Sequence, residues 1–235
     1  MESSLVTVSK DGEPRLENQD EQGKRDKLIR RKQEWAAEGR LLTGTSGNRE
    51  TERLPPGQRL VQNWPVLDLG VHPDIPRDKW RLWIDGAVAN PQKLDWTGFQ
   101  ALPQSNAISD IHCVTSWSRY DNRWRGVLAR DLLDLVKPLP DAQHVILHSY
   151  DTYTTNVPLA EFADTDVLLA THWQDEELSL EHGGPLRLIV PKLYFWKSAK
   201  WLKRIEFAVF DKPGFWELRG YHNHGDPWDE ERYDD

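Results

Sequence analysis

The chain has 235 residues, a length typical of one domain or of one domain with an appendage. Its hydrophobic content of 38% is enough for a sizeable core, whereas its net charge of −8 argues against a general nucleic-acid binder, which needs a broad basic surface. No apolar run approaches the length of a membrane span, and the polar, acidic start lacks the apolar stretch of an export signal, so we expect a cytoplasmic protein without membrane insertion.

The N-terminal quarter differs in composition from the remainder. Residues 1–58 are rich in charge and in turn-forming residues, and only Lys24–Glu38 has helix-forming composition with a narrow apolar face. This pattern predicts a charged N-terminal arm over 1–58 that is partly helical and is either docked or partly disordered. The structured domain is then expected over 59–235.

Short strand-like segments alternate with turns after the arm. Arg81–Ile84 and Ala87–Val88 flank the turn pair Asp85-Gly86, which predicts a hairpin. Further apolar segments of strand length predict strands over 145–150, 153–157, 167–173, 186–190 and 201–210.

Two short helices are expected between these strands. Thr97 is placed to cap one helix that reaches Leu102, and the apolar positions of Leu128–Val136 predict another, which Pro138 ends. There is no internal repeat and no regular alternation of strands with helices. The predicted class is therefore α+β, with mixed β-sheets and a few short helices.

Cys113 is the only cysteine in the chain, and it follows the strand-like stretch Ala107–Ile111. A lone thiol cannot form an internal disulfide, which leaves a buried small hydrophobe, a nucleophile or a ligand of a soft metal. His112 could activate the thiol, but neighbours in a strand point to opposite faces, which disfavours a direct Cys–His pair.

A second distinctive segment lies downstream. His182 and Arg187 bracket a Gly-Gly-Pro turn, and the glycines allow a backbone path that other residues would resist. Further on, a hydroxyl and ammonium groups flank the small Ala199, where they can converge on a phosphate. An ordinary turn followed by a solvated basic face is the alternative interpretation.

Three features, taken in order, resemble the molybdopterin-binding domain of the sulfite oxidase family over roughly 55–233. They are the single cysteine, the run from His182 to Pro191 (HGGPLRLIVP) and the run from Lys197 to Leu202 (KSAKWL). The small bacterial and archaeal sulfite oxidase-like oxidoreductases and the catalytic subunit of the periplasmic methionine sulfoxide reductase share this domain. The resemblance implies the fold of that domain, a molybdenum-molybdopterin cofactor and two-electron oxygen-atom transfer.

The resemblance also implies roles for individual residues. Cys113 is implied as the metal ligand and catalytic residue. The histidine and arginine of the Gly-Gly-Pro motif are implied to contact the pterin, and the Ser-Ala-Lys segment its phosphate end. With two weaker positions, the implied cofactor contacts are Asn63, Ser149, His182, Arg187, Ser198, Ala199 and Lys200.

The substrate pocket departs from that of true sulfite oxidases. The arginine-rich stretch after their cysteine is replaced here by Val114–Trp117. Trp117 and Trp124 predict a partly aromatic pocket better suited to a small S-oxide or N-oxide than to sulfite, with Arg119 and Arg125 as further candidates at its mouth. Because no haem, flavin or iron–sulfur motif is present, a separate electron-transfer partner or a soluble donor is expected.

Two other classes of protein stay open at this point. One is a thiol enzyme or hydrolase that uses Cys113 as nucleophile, and the other is a non-catalytic molybdopterin-binding module. A zinc protein is disfavoured, because zinc needs three or four clustered ligands and His222 and His224 form an isolated pair.

Overall fold

The computed structural model describes residues 6–8, 14–16, 19–37 and 53–234. Within these ranges the strands are β1 (Val6–Val8), β2 (Pro14–Leu16), β3 (Arg59–Leu60), β4 (Arg81–Gly86), β5 (Gln92–Asp95), β6 (Ser105–Cys113), β7 (Trp117–Leu128), β8 (His144–Ser149), β9 (Thr154–Pro158), β10 (Leu168–Trp173), β11 (Glu176–Glu177), β12 (Arg187–Ile189) and β13 (Leu202–Ala208). The helices are α1 (Gln19–Ala37), α2 (Trp96–Gln100), α3 (Ala129–Val136) and α4 (Leu159–Phe162).

Two mixed sheets form the body of the protein. One has the strand order β5-β4-β13-β8-β9, and the other has the order β11-β10-β7-β3 with β12 paired to β10 and β6 paired to β7. A large core combines side chains of both sheets, such as Ile84 and Val127, and a second core surrounds Cys113. The α+β class with mixed sheets and short helices is confirmed.

The strands predicted after residue 144 are all present, and their bounds differ from the prediction by at most two residues. The helix predicted over Leu128–Val136 is α3, which ends where Lys137 adopts a left-handed backbone with φ 53° before Pro138. Long apolar runs therefore located these elements correctly, because burial of those side chains decides the local structure.

The predicted hairpin is wrong in its second strand. β4 continues through Asp85 and Gly86, and its antiparallel partner is β5 rather than Ala87–Val88. Gly86 allows two strands to pass close to each other. Its φ is +89°, and a Cβ there would lie 2.1 Å from the carbonyl oxygen of Phe207 on the parallel neighbour β13.

The cap of α2 also differs from the prediction. The cap is Asp95, two residues before Thr97, since the Oδ1 atom of Asp95 accepts a hydrogen bond from the Gly98 amide at 2.7 Å. The helix ends at Gln100, before the expected Leu102.

The segment after the cysteine turn, for which no strand was predicted, is strand β7. β7 pairs with β6 on one side and with β10 on the other. Its burial alternates, with Asn122, Trp124 and Gly126 inside and Arg123 and Arg125 outside. This alternation is visible in the sequence and is the signal that could have predicted the strand.

The helix predicted in the arm is α1, and it is docked on the domain. Ile29 is buried in the second core, and the Nε2 atom of Gln33 donates a hydrogen bond to the Arg219 carbonyl at 3.0 Å. The remainder of the arm before residue 53 falls largely outside the described residues, and the domain boundary at residue 58 stays a prediction. None of the helices in the described ranges combines the length and apolar character that crossing a bilayer needs.

Candidate active site

One cleft collects most of the residues that the sequence singled out. It encloses about 910 Å³ of space that no protein atom fills, counted out to its open mouth, and it borders the second core. The predicted residues that line it are Cys113, Trp117, Ser149, His182, Arg187, Ser198, Ala199 and Lys200. Four separate chain segments therefore converge on the same cavity.

Cys113 lines the cleft. It closes β6 and starts a tight turn in which the Ser116 amide donates to the Cys113 carbonyl at 3.0 Å. Gln58 also donates its side-chain amide to that carbonyl at 3.1 Å. The Sγ atom lies 3.1 Å from the Thr115 hydroxyl, and burial raises the pKa of the thiol. A raised pKa disfavours a free thiolate nucleophile, whereas a bound metal ion would displace the thiol proton and take the thiolate as its ligand.

His112 does not activate the cysteine. Its Nδ1 atom lies 2.8 Å from the Ser118 hydroxyl, on the other face of the strand from the cleft. Burial lowers the pKa of His112 to about 4, so the ring is neutral at pH 7. A thiol enzyme built on a Cys113–His112 pair is therefore not supported.

Arg187 is the strongest sign of an anionic ligand. Its side chain is 2% exposed, and its Nη1 and Nη2 atoms donate to the carbonyls of His182 and Ser198 at 2.8 and 2.9 Å. No carboxylate in the described part of the chain lies within ion-pair distance of it. Burial lowers the pKa of the guanidinium to about 9. A buried cation without a carboxylate is costly, and an anionic ligand would offset that cost.

His182 is oriented but uncharged. Its ring stacks on Trp64 with a centroid separation of 3.9 Å, and its Nδ1 atom lies 3.0 Å from the Ser179 hydroxyl. Burial, and then the charge of Arg187, lower its pKa to about 4. The neighbouring Gly183 has φ +104°, and a Cβ there would lie 2.9 Å from Lys200, so this tight approach requires glycine.

Lys200 lines the same cleft from the segment that follows β12. Its Nζ atom donates to the Glu181 carbonyl at 2.7 Å and lies 3.8 Å from a carboxylate oxygen of Asp68. Burial, followed by the charge of Arg187, lowers its pKa to about 7. Ser198 accepts a hydrogen bond from the Val190 amide at 2.9 Å, which leaves its hydroxyl proton available to a ligand.

Two buried polar atoms at the cleft lack partners among the described residues. They are the Oγ atom of Ser149 and the indole nitrogen of Trp117, in side chains that are nearly inaccessible to solvent. Buried donors are normally satisfied, so both are available to a bound molecule. Together with the buried thiol and with Arg187, which has no carboxylate partner among the described residues, they fit a cofactor that carries both a metal and an anionic group.

Several predicted residues lie elsewhere. Asn63 is exposed and does not line the cleft, although its neighbour Trp64 does. Arg119 packs over the ring of a tryptophan in β10, and Arg125 contacts a histidine side chain of that strand. Trp124 is buried in the second core and does not reach the cleft. The arginines follow the outward face of β7, so neither one contributes to the pocket.

Sequence reasoning missed three charged residues of the cleft wall. Lys32 comes from α1, Asp68 from the loop before β4, and Asp151 from the turn between β8 and β9. Burial raises the pKa of Asp151 to about 6 and lowers that of Lys32 to about 8. No local motif surrounds any of them, because only the tertiary contacts bring these segments together.

The fold and this cleft define an oxidoreductase that binds an organic metal cofactor. Residues 69–216 match the family described as "Oxidoreductase molybdopterin binding domain", and the chain belongs to this family. The uncharacterized oxidoreductase YuiH of Bacillus subtilis (strain 168) is 44% identical over 188 residues, which cover 78% of this chain and 93% of that protein. The family, the enzyme class and the molybdenum-molybdopterin cofactor implied by the sequence are thereby confirmed.

More distant relatives have named activities. The mitochondrial sulfite oxidase of Drosophila melanogaster is 30% identical, over 63% of this chain and 30% of that protein. The catalytic subunit MsrP of the Campylobacter jejuni protein-methionine-sulfoxide reductase is 27% identical, over 59% of this chain and 52% of that protein. The sulfane dehydrogenase SoxCD of Paracoccus pantotrophus shares the fold, with a TM-score of 0.55, 21% identity and coverage of 59% of this chain and 40% of that one.

Proposed function

We propose that the protein is a mononuclear molybdenum oxidoreductase that transfers an oxygen atom to or from a small S-oxide, N-oxide or related substrate, with Cys113 as the protein ligand of the metal. The observation that carries this proposal is the placement of the buried Cys113 thiol and the buried, carboxylate-free Arg187 in the walls of one cleft. A thiolate ligand and an anion-binding cation are the two features that this cofactor needs from the protein.

The chain's own residues divide the work of holding the cofactor. When bound, the cofactor supplies a metal centre that exchanges two electrons and one oxygen atom with a substrate. Arg187 offers a positive charge. His182 offers an uncharged ring, which is held in place by stacking on Trp64. Ser149 offers a hydroxyl without a partner among the described residues. Lys200 offers an amine whose lowered pKa a bound anion would raise again, which keeps it charged. Cys113 fixes the position of the metal end.

The aromatic walls of the cleft favour a substrate with little negative charge. Trp117, Trp216 and Tyr221 line the cleft, whereas the arginines of β7 point away from it. Aromatic walls suit a neutral or mixed sulfoxide or N-oxide better than a small dianion such as sulfite. Electrons are proposed to come from a separate protein or a soluble donor, and the cytoplasmic location stays a prediction.

Elemental and pterin analysis tests the proposal first. Protein made in a host that synthesises the cofactor should contain close to one molybdenum atom and one pterin per chain. A chain without stoichiometric molybdenum would contradict the proposal, and a chain that binds the pterin but fails every turnover assay would be a non-catalytic binding module. Steady-state reduction of a sulfoxide and oxidation of sulfite, measured on the same loaded enzyme, then test the substrate class.

Cys113→Ser tests the ligand assignment. We expect a folded protein without turnover, because an alkoxide is a harder and more basic ligand than a thiolate, while the serine hydroxyl can keep the contact to Thr115. Circular dichroism and the melting temperature of the cofactor-free variant should match those of cofactor-free wild type. Undiminished turnover in Cys113→Ser would contradict the assignment.

A further inference from the structure

Helix α1 lies outside the segment that matches the family, yet it forms part of the cleft. We propose that Lys32 of α1 is a third cationic ligand for the phosphate end of the cofactor, beside Arg187 and Lys200. The inference rests on the cofactor occupying this cleft as proposed above. The helix would then complete the binding site from a part of the chain that the family domain does not include.

The position of Lys32 requires an explanation, because lysine is rarely buried without a charged partner. Only 9% of Lys32 is exposed, whereas Lys27, Arg30 and Arg31 of the same helix are exposed. Its Nζ atom donates a hydrogen bond to the backbone carbonyl of Asp68. No carboxylate among the described residues lies within ion-pair distance of this ammonium. Two of its three donor positions therefore remain for a ligand.

The contacts of Asp68 place Lys32 beside Lys200, the residue implied to bind the phosphate of the cofactor. Lys32 binds the carbonyl of Asp68, and Lys200 lies 3.8 Å from the carboxylate of the same residue. The carboxylate is already engaged by the Gly70 amide at 2.8 Å and by the His72 ring at 2.7 Å. Both ammonium groups therefore occupy one corner of the cleft, and the Asp68 carboxylate is shared with other donors.

The charges around the cleft are unbalanced. Three cations, Lys32, Arg187 and Lys200, line it against two carboxylates, Asp68 and Asp151. Burial raises the pKa of Asp151 to about 6 and lowers those of the two lysines to about 8 and about 7, so none of these groups is fully compensated by its neighbours. A phosphate monoester at this corner would supply the missing negative charge.

Docking of α1 does not depend on Lys32 alone. The helix is held by Ile29 in the second core, by the bond from Gln33 to the Arg219 carbonyl, and by Leu28 against the turn at Gly70. Removal of the Lys32 charge should therefore leave the helix in place, which makes the proposal testable by substitution.

The experiment compares Lys32→Gln with Lys27→Gln, a matched control at an exposed position of the same helix. Both variants are made in a host that synthesises the cofactor, and molybdenum and pterin are measured per chain before and during prolonged dialysis. Loss of one charged hydrogen bond predicts cofactor release about tenfold faster than wild type for Lys32→Gln. The control should retain the cofactor, and Lys32→Arg, which keeps the charge, should retain most of it.

The melting temperature of the cofactor-free proteins separates ligand binding from a structural role. Cofactor-free Lys32→Gln should be at least as stable as cofactor-free wild type, because a buried cation has been removed. Wild-type release rates in Lys32→Gln would overturn the inference, as would equal losses in Lys32→Gln and Lys27→Gln, or a cofactor-free Lys32→Gln that melts well below wild type. Absence of molybdenum from the wild-type protein would instead overturn the proposed function.

Discussion

Lys200 should stabilise the cofactor complex and destabilise the cofactor-free protein. Its ammonium is held beside Arg187, and its nearest carboxylate oxygen, on Asp68, is 3.8 Å away. We therefore predict that Lys200→Met raises the free energy of unfolding of the cofactor-free protein while it weakens cofactor retention. Methionine keeps an unbranched apolar stem where the lysine stem packs against Gly183.

The size of this gain in the free energy of unfolding follows from the pKa of Lys200. Burial first, and the charge of Arg187 second, lower that pKa from 10.5 to about 7. The cost of the charge is fully present below pH 7 and disappears as the pH rises toward 10.5, the value in the unfolded chain. At pH 7 this cost is at most about 4 kcal/mol, and it decreases to about 1 kcal/mol at pH 9.5. The side chain is 16% exposed, so we expect a gain of about 2 to 4 kcal/mol at pH 7.

Urea denaturation of cofactor-free wild type and Lys200→Met at pH 7 and at pH 9.5 measures this gain. The variant should be the more stable protein at pH 7, and the difference should shrink at pH 9.5. Lys203→Met, at a half-exposed lysine of the same segment, serves as the control for the replacement of a lysine by methionine. A Lys200→Met protein that is less stable than wild type at pH 7, or a gain that does not change with pH, would refute the reasoning.

Two further predictions concern ionised groups outside the cleft. Hydrogen bonds to Glu161 and then to Glu231 raise the pKa of His224 to about 9, so its stabilisation is present below about pH 6.5 and is lost as the pH rises through 9. His224→Gln should therefore cost about 1 kcal/mol in urea denaturation at pH 6 and much less at pH 9.5; a larger cost at pH 9.5 would contradict this. Lys197 is buried 2.7 Å from Glu217, and Lys197→Met should destabilise by about 3 to 5 kcal/mol because it leaves that carboxylate unpaired. The double variant with Glu217→Gln should recover part of the loss, and equal stabilities of the single and double variants would argue against the pairing.

The local sequence determined the strands and turns that depend on neighbouring residues in the chain. Apolar runs of strand length located β8, β9, β10, β12 and β13, because buried side chains in a strand are contiguous along the chain. The Gly-Gly-Pro turn located His182 and Arg187, because a backbone with φ +104° at Gly183 requires glycine. Cys113 could be selected as the single thiol of the chain, although its burial and its neighbours could not be known.

Tertiary pairing decided the features that local patterns did not specify. Gly86 was interpreted as a turn residue, but a neighbouring parallel strand passes so close to it that no side chain fits. The arginines of β7 were candidates for the pocket, and the pairing of β7 on both edges fixes them on the outward face. In both cases the deciding contact is with a strand distant in sequence.

The cleft itself combines both kinds of information. The segments with Cys113, Arg187 and Lys200 carry recognisable chemistry, and the sequence selected them. Lys32 and Asp68 come from a helix and a loop without any motif, and they reach the cleft only because α1 docks on the second core and the loop closes beneath it. Charge compensation between distant segments is a property of the folded chain, so only the tertiary structure could decide it.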